Sequence, residues 1–364
     1  MPVIVHLFIG ERISMSRVLL TALRFVLLIL FGLILSSANA QSVDAPREGG
    51  GVNAVDYALL EPYTLEALRA REYPGGAITI ERAIMATDTF TRYLISYPSD
   101  GLTITGIMQI PPGVGPFPVI VLNHGFIRQS EYWSGYETWE AAGYLNARGY
   151  LTVSSDYRSW GGSDWGISLF HTGLTADVLN LISALASVPQ ADTSRIGMWG
   201  HSMGGGITTK ALTIDPRIDA AVLYATNSAD DSDLIGQWGP GCLAERRAGR
   251  RCNRGEIIPA DVDETLFETY LDAAGDPEFI ARVSPIHDLD RITVPVQIHI
   301  GDQDTVVPPA WSTKLYDAMR AEDVAVELFW YEGQDHTFWG DSWVEFMQRV
   351  TAFFDLYVKN AAMG

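Results

Sequence analysis

The chain has 364 residues, of which 47% are hydrophobic and 19% are charged, and its formal net charge is −19. This composition is typical of a globular protein with enough apolar residues for one large core or two smaller ones. The strong acidity excludes nucleic acid and anionic membrane surfaces as expected partners, because both would be repelled.

The first 40 residues have the order of a secretory signal. Three arginines precede the apolar run 25–35, and a small-residue site follows, so cleavage is predicted after Ala40, with Met15 as an alternative start. Removing three arginines and one glutamate would change the formal charge from −19 to −21. A retained membrane anchor is the alternative, although eleven apolar residues are short for a span of about 20. We predict a secreted or periplasmic protein without stable membrane insertion.

The only two cysteines, Cys242 and Cys252, are separated by nine residues in a segment rich in glycine and arginine. In an oxidising compartment such a pair predicts a local disulfide, which would stabilise the fold by about 2.5–3 kcal/mol. The four arginines of this segment are most simply a solvated charge run, and the alternative is a lid that attracts anions. Neither cysteine has the companions of a zinc site.

Residues 41–88 are predicted as an N-terminal extension with an amphipathic stretch around 59–68. Two β-rich runs, 89–97 and 102–110, flank a turn signal and predict an antiparallel pair. Further strands are predicted at 118–122, 150–155, 196–199, 220–224, 294–300 and 326–330, and helices at 138–148, 174–186, 207–212, 264–273, 310–320 and 343–359.

Strands that alternate with helices predict an α/β domain, residues 89–364, with a mostly parallel central sheet and helices on both faces. The alternation stops at about 227–285, which is interpreted as an inserted cap or lid segment. Ligands of such sheets bind beyond the carboxyl ends of the strands. The residues that follow predicted strands are therefore the candidates for a functional site.

The clearest motif runs from Gly200 to Gly204, with the sequence Gly-His-Ser-Met-Gly between a predicted strand and a predicted helix. This is the G-x-S-x-G pattern of a nucleophile elbow, which places Ser202 on a sharp turn. The glycines remove side chains where the neighbouring chain must pass close to the serine. A purely structural glycine turn is the alternative, and the strand and helix around the motif favour the elbow.

Serine needs a base to take its proton, and the base needs a carboxylate to orient it. Asp304 follows one late strand and His336 follows the next, which gives the chain order serine, acid, histidine. Asp302 is the competing acid. We predict Ser202 as the nucleophile, His336 as the base and Asp304 as the acid.

Backbone N–H groups can bind the oxyanion that forms near Ser202. The N–H groups of Phe126, in the loop Asn123-His-Gly-Phe, and of Met203 are predicted as this pair. His124 is expected to hold the loop by hydrogen bonds, and His201 to pack beside the serine without reacting.

Aromatic residues are dense around the predicted mouth of the site, and Trp133, Trp160 and Trp339 are predicted to contact substrate. Packing in the core and in loops is the alternative for each of them. No metal or organic cofactor is implied.

Together these motifs resemble the α/β-hydrolase superfamily, specifically its prolyl oligopeptidase-like and dienelactone hydrolase-like serine esterase group. The resemblance covers roughly 89–359 and rests on the elbow, the Asn123-His-Gly loop, Gly301-x-x-Asp304 and Asp335-His336. The elbow is also similar to that of bacterial cutinases. About 50 residues separate residue 41 from this domain, too few for the β-propeller of the peptidase branch.

The resemblance implies a serine hydrolase that cleaves small or polymeric carboxylic esters through an acyl-enzyme, and the N-terminal signal pattern predicts that it is exported. The alternatives are an exopeptidase or amidase with the same triad, which would need a carboxylate pair for a substrate amine, and a catalytically silent binding protein. Dehalogenase and epoxide hydrolase chemistry is disfavoured, because the elbow residue is serine rather than aspartate. Acyl specificity and oligomeric state are not encoded in any recognisable motif.

Overall fold

The computed structural model describes residues 57–240 and 264–360. The predicted signal segment, the Cys242–Cys252 pair and the four arginines near it lie outside the described residues. These features therefore stay predictions.

Within the described ranges, nine strands form one sheet with the order β1-β2-β3-β5-β4-β6-β7-β8-β9. β1 to β3 and the pair β3–β5 are antiparallel, whereas the pairs from β5 to β9 are parallel. The strands are β1 Thr79–Ala86, β2 Thr91–Ser99, β3 Leu102–Ile110, β4 Phe117–Asn123, β5 Leu151–Ser155, β6 Ala191–His201, β7 Ala220–Tyr224, β8 Val296–Gly301 and β9 Val326–Tyr331.

One helix precedes β1, one follows β9, and the other described helices lie between strands along the chain. The helices are α1 Leu65–Ala70, α2 Trp139–Asn146, α3 Thr172–Ala184, α4 Met203–Leu212, α5 Asp231–Trp238, α6 Glu264–Ala273, α7 Pro277–Val283, α8 Pro309–Ala321 and α9 Asp341–Phe354. In the described part of the chain there are also five short 3-10 segments, Ala58–Tyr63, Leu169–His171, Leu185–Ser187, Pro285–His287 and Leu289–Arg291, and a π-helical turn, Asp355–Lys359.

The central strands are buried on both faces, which explains why they read as continuous apolar runs. In β4, Val119 and Val121 pack into one core together with α3, α4 and α8. Ile120 and Leu122 point the other way and pack into a second core with α2 and α9. The alternation of side chains along a strand thus builds two cores, one on each face of the sheet.

This architecture confirms the predicted mostly parallel sheet with helices on both faces. The predicted antiparallel pair is also confirmed, with Ser99 opposite Leu102 at its turn. β1 lies inside the segment predicted as an N-terminal extension, so the sheet begins before residue 89. Helices α5 to α7 lie in the segment 227–285, whose role as a cap stays a prediction.

A buried ion pair fixes the loop after β5 to α3. Arg158 donates from Nη2 to Asp177 Oδ1 at 2.7 Å and from Nε to Oδ2 at 3.0 Å, and the Asp177 side chain is fully buried. The hydroxyl of Ser99 donates to the same carboxylate at 2.6 Å. Burial disfavours the Arg158 charge, but Asp177 outweighs that cost and raises the Arg158 pKa. The pair therefore joins β2, α3 and the loop after β5.

Removing one partner of this pair should destabilise the protein strongly. Asp177→Ala leaves the Arg158 charge buried without its main acceptor, so we expect a loss of about 3–5 kcal/mol in the free energy of unfolding. Urea denaturation measures this loss, with Asp317→Ala on the exposed face of α8 as the control. A loss below about 1 kcal/mol in Asp177→Ala would contradict the structural role of the pair.

Candidate active site

Ser202 lies between the end of β6 and the start of α4, as the elbow motif predicted. Its backbone has φ 54° and ψ −120°, a conformation that costs a non-glycine residue about 1–3 kcal/mol. Two backbone hydrogen bonds, one to the end of β7 and one to the loop after it, hold it there. The Ser202 N–H donates to Tyr224 O at 2.9 Å, and Asn227 N–H donates to Ser202 O at 3.0 Å.

The glycines near Ser202 are required by close approach of the backbone. A Cβ on Gly204 would collide with the Asn123 carbonyl, and one on Gly125 would lie 3.0 Å from Ser202 Cβ. A side chain at either place would push the loop after β4 away from the elbow. This contact places the loop that carries Phe126 against the nucleophile.

Asp304 and His336 form a pair, as the sequence predicted from their positions after β8 and β9. His336 Nδ1 lies 2.9 Å from Asp304 Oδ2, and the Asp304 side chain is fully buried. Asp304 Oδ1 accepts the N–H groups of Val306 at 2.9 Å and Val307 at 2.8 Å. Both oxygens are engaged, so the carboxylate is held in one orientation toward the imidazole.

Asp302, the competing acid, has a different role from Asp304. Its Oδ1 accepts the N–H of Gly333 at 2.7 Å, which closes the loop after β9. The contact of Asp304 with His336 Nδ1 therefore agrees with the preference for Asp304 over Asp302 as the acid.

Asp335 ties the two loops together, a role that the sequence motif Asp335-His336 did not reveal. Its Oδ1 accepts the N–H of Thr305 at 2.8 Å and the N–H of His336 at 2.8 Å. The Thr305 N–H is the main cause that lowers the Asp335 pKa, followed by the His336 N–H. The loops of acid and base are thus linked by their backbones as well as by the Asp304–His336 pair.

The buried side chain of His124 holds the loop after β4 in place. His124 is buried, with Nδ1 at 2.7 Å from Gly125 O, and burial lowers its pKa. This confirms that its side chain holds the loop. Within the described residues the Phe126 N–H has no hydrogen-bond partner, and Met203, as the first residue of α4, has no intrahelical acceptor for its N–H. Neither N–H is therefore used in a hydrogen bond within the described residues.

The three tryptophans predicted to contact substrate differ in their surroundings. Trp339 is 70% exposed, and Trp133 is 48% exposed and packs edge-on against Tyr136. Trp160 is 1% exposed, and its indole N–H donates to Ile127 O at 2.7 Å. The prediction of a cleft-lining Trp160 is corrected here, because a buried indole with a satisfied N–H supports the loop from beneath.

A second acid and imidazole pair lies beside the first, and no sequence motif marks its acid. His201 Nδ1 lies 2.9 Å from Glu137 Oε1, a close ion-pair contact whose angle is outside that of a hydrogen bond. His201 Nε2 lies 3.0 Å from the backbone oxygen of His336. Glu137 precedes α2 in no recognisable motif, so only its tertiary position reveals the contact.

Ser202, Asp304 and His336 follow β6, β8 and β9, whose carboxyl ends meet at the same edge of the sheet. The edge therefore presents a hydroxyl on a strained turn and an imidazole oriented by a buried carboxylate, and the backbone N–H groups of Phe126 and Met203 nearby have no partner within the described residues. Such a set can deprotonate the hydroxyl and stabilise a tetrahedral oxyanion.

Two family models match the chain, one described as serine aminopeptidase, S33, over residues 115–254, and one described as prolyl oligopeptidase family over residues 260–361. A 31.7 kDa protein of the traX-finO intergenic region of Escherichia coli is 26% identical over 250 residues, which are 61% of this chain and 84% of that protein. Esterase FrsA of Shigella boydii is 31% identical over 123 residues, which are 33% of this chain and 28% of FrsA.

Among solved structures, an acetyl xylan esterase from Paenibacillus sp. R4 is similar, with TM-score 0.58 and 18% identity over 79% of this chain and 92% of that chain. An acylaminoacyl peptidase from Pyrococcus horikoshii has TM-score 0.56 and 21% identity over 74% of this chain and 42% of that chain. At this level of identity the likeness concerns the fold.

Proposed function

We propose, from the premise that this chain is a serine hydrolase of the α/β-hydrolase superfamily, that it cleaves carboxylic esters with Ser202, His336 and Asp304 as its triad. The observation that carries the proposal is the Asp304–His336 pair at 2.9 Å, at the sheet edge where Ser202 also lies. The further proposal of export comes from the order of the first 40 residues.

In the proposed mechanism the Ser202 hydroxyl attacks the acyl carbon while His336 Nε2 takes its proton. Asp304 accepts from Nδ1 and stabilises the imidazolium that forms. The N–H groups of Phe126 and Met203 bind the oxyanion of the tetrahedral intermediate. His336 then returns the proton to the departing alcohol, and a water molecule, activated by the same imidazole, hydrolyses the acyl-enzyme.

The environment of the carboxylates favours esters over peptides with a free amino terminus. An exopeptidase needs a carboxylate pair that holds the substrate ammonium. Within the described residues, Glu137, Asp304 and Asp335 beside the site each accept protein N–H groups. None of these three carboxylates is without a protein donor, which favours ester hydrolysis.

The similar proteins also favour ester hydrolysis over peptide hydrolysis. FrsA is an esterase by name, and the acetyl xylan esterase is matched over 92% of its length, whereas the acylaminoacyl peptidase is matched over 42%. A peptidase remains the second candidate, because both family models that match carry peptidase descriptions.

A series of nitrophenyl esters with short acyl chains, assayed beside aminoacyl nitroanilides, tests the proposal. We expect kcat/KM for the best ester to exceed that for the best anilide by at least about 100-fold, since the described carboxylates Glu137, Asp304 and Asp335 already accept protein N–H groups and are poorly placed to hold the amine of the anilide. Faster cleavage of anilides would assign the protein to the peptidase branch. No turnover of either series, together with no labelling of the protein by a serine-directed phosphonate, would indicate a silent binding protein.

A further inference from the structure

The Glu137–His201 pair connects three loops of the site. One Glu137 oxygen accepts the N–H of Gly125, in the loop after β4, and the other lies 2.9 Å from His201 Nδ1. His201 Nε2 reaches the backbone oxygen of His336 at 3.0 Å. A continuous chain of polar contacts therefore runs from the proposed oxyanion loop through the elbow to the loop of the proposed base.

The partners of His201 decide its protonation state. A carboxylate oxygen and a carbonyl oxygen are both acceptors, and neither can donate to an imidazole nitrogen. A neutral imidazole carries one N–H, so one of its nitrogens would face an oxygen without a proton. Only the imidazolium carries a proton on both nitrogens, and its positive charge completes the ion pair with Glu137 at 2.9 Å although the Nδ1–H is not aligned with Oε1.

The other groups around His201 are an aromatic ring, a second imidazole and a carboxylate. Its ring stacks on Tyr224 with centroids 4.4 Å apart, and it lies 4.7 Å from the His336 ring. Asp304 adds a second negative charge in the neighbourhood. Burial opposes protonation, but the Glu137 carboxylate outweighs it and raises the His201 pKa. Burial likewise disfavours the Glu137 charge, and His201 outweighs it and lowers the Glu137 pKa.

We propose that Glu137 and His201 are positioning residues, with His201 kept as an imidazolium that anchors the His336 backbone while Glu137 anchors the Gly125 backbone. The proposal rests on the proposed function, because it takes His336 as the base and the Gly125–Phe126 loop as an oxyanion donor. A charged pair beneath both loops would fix the base relative to the oxyanion donors.

The protonation state can be measured without substrate. Two-bond proton–nitrogen NMR spectra of the full-length protein with labelled histidine report which ring nitrogens carry protons, and His201→Gln identifies the signal. At about pH 7.5, where an ordinary histidine is neutral, we expect both His201 nitrogens to be protonated. A His201 with one protonated nitrogen at that pH would overturn the proposal, whatever the protein hydrolyses.

The pH dependence of ester hydrolysis tests the positioning role. The pair is complete between the lowered pKa of Glu137 and the raised pKa of His201, so kcat should fall as pH rises through the His201 pKa. In Glu137→Gln a neutral His201 can still donate to the His336 oxygen, while the amide accepts from Gly125 and donates to Nδ1. This variant should lack the fall of kcat at high pH.

Removal of the Glu137 side chain should lower kcat more than its replacement by an amide does. We expect Glu137→Ala to lower kcat about tenfold with KM changed less than about twofold, and Glu137→Gln to recover to within about threefold of wild type. Glu140→Gln, an exposed acid on α2, is the matched control. An unchanged high-pH limb in Glu137→Gln, or a loss in Glu137→Ala that appears in KM alone, would overturn the positioning role. If the esters are not substrates, the NMR result still decides the charge of the pair.

Discussion

Ser202→Ala is expected to lower kcat for ester hydrolysis by about 10⁶-fold, the size of effect seen when a nucleophile of this class is removed. The methyl group cannot form the acyl-enzyme, and what remains is the stabilisation of a water attack by the N–H groups of Phe126 and Met203. The fold should be retained, because the bonds of residue 202 to Tyr224 and Asn227 are made by its backbone.

Burst kinetics with a nitrophenyl ester measure this change, since the acylation burst should vanish together with the steady-state rate. Ser194→Ala is a matched control, because Ser194 is exposed at the other end of the same strand, β6. Activity that survives in Ser202→Ala would show that another residue is the nucleophile.

Asp304→Asn should have the second largest effect, a fall in kcat of about 10⁴-fold. The amide oxygen can still accept the N–H groups of Val306 and Val307, so the loop should keep its shape. The amide NH₂ would then face His336 Nδ1 as a donor and place the imidazole proton on Nε2. That nitrogen could no longer accept the proton of Ser202.

Asp302→Asn is the control for this prediction, because Asp302 bonds to Gly333 rather than to His336. We expect its kcat to remain within about threefold of wild type. The reverse result, a large loss in Asp302→Asn and a small one in Asp304→Asn, would transfer the role of the acid to Asp302.

The sequence predicted the parts of the fold that depend on local patterns. Continuous apolar runs such as Val119–Leu122 indicated strands buried on both faces, and the glycines around Ser202 indicated a tight turn. β1 was less clear, because all of its residues are exposed and no apolar alternation marks it. The sheet therefore begins earlier than the pattern of apolar residues indicated.

The candidate site was predictable only where the residue type implies chemistry. Asp304 and His336 could be paired because both follow strands that end at one edge of the sheet. Glu137 could not be identified from the sequence, because it does not follow a strand and it contacts His201 from a loop that lies 64 positions earlier in the chain. Trp160 was misjudged for a related reason, since its burial depends on how the loop after β4 folds over it.

The strained backbone of Ser202 has a consequence for protein engineering. At φ 54° and ψ −120° glycine has a lower conformational energy than any residue with a side chain. The serine at this position therefore reduces the stability of the folded state. Directed evolution for heat resistance alone would reward the loss of this serine. Directed evolution for thermostability must therefore select for ester hydrolysis in every round, because the most stable variants need not be catalytically active.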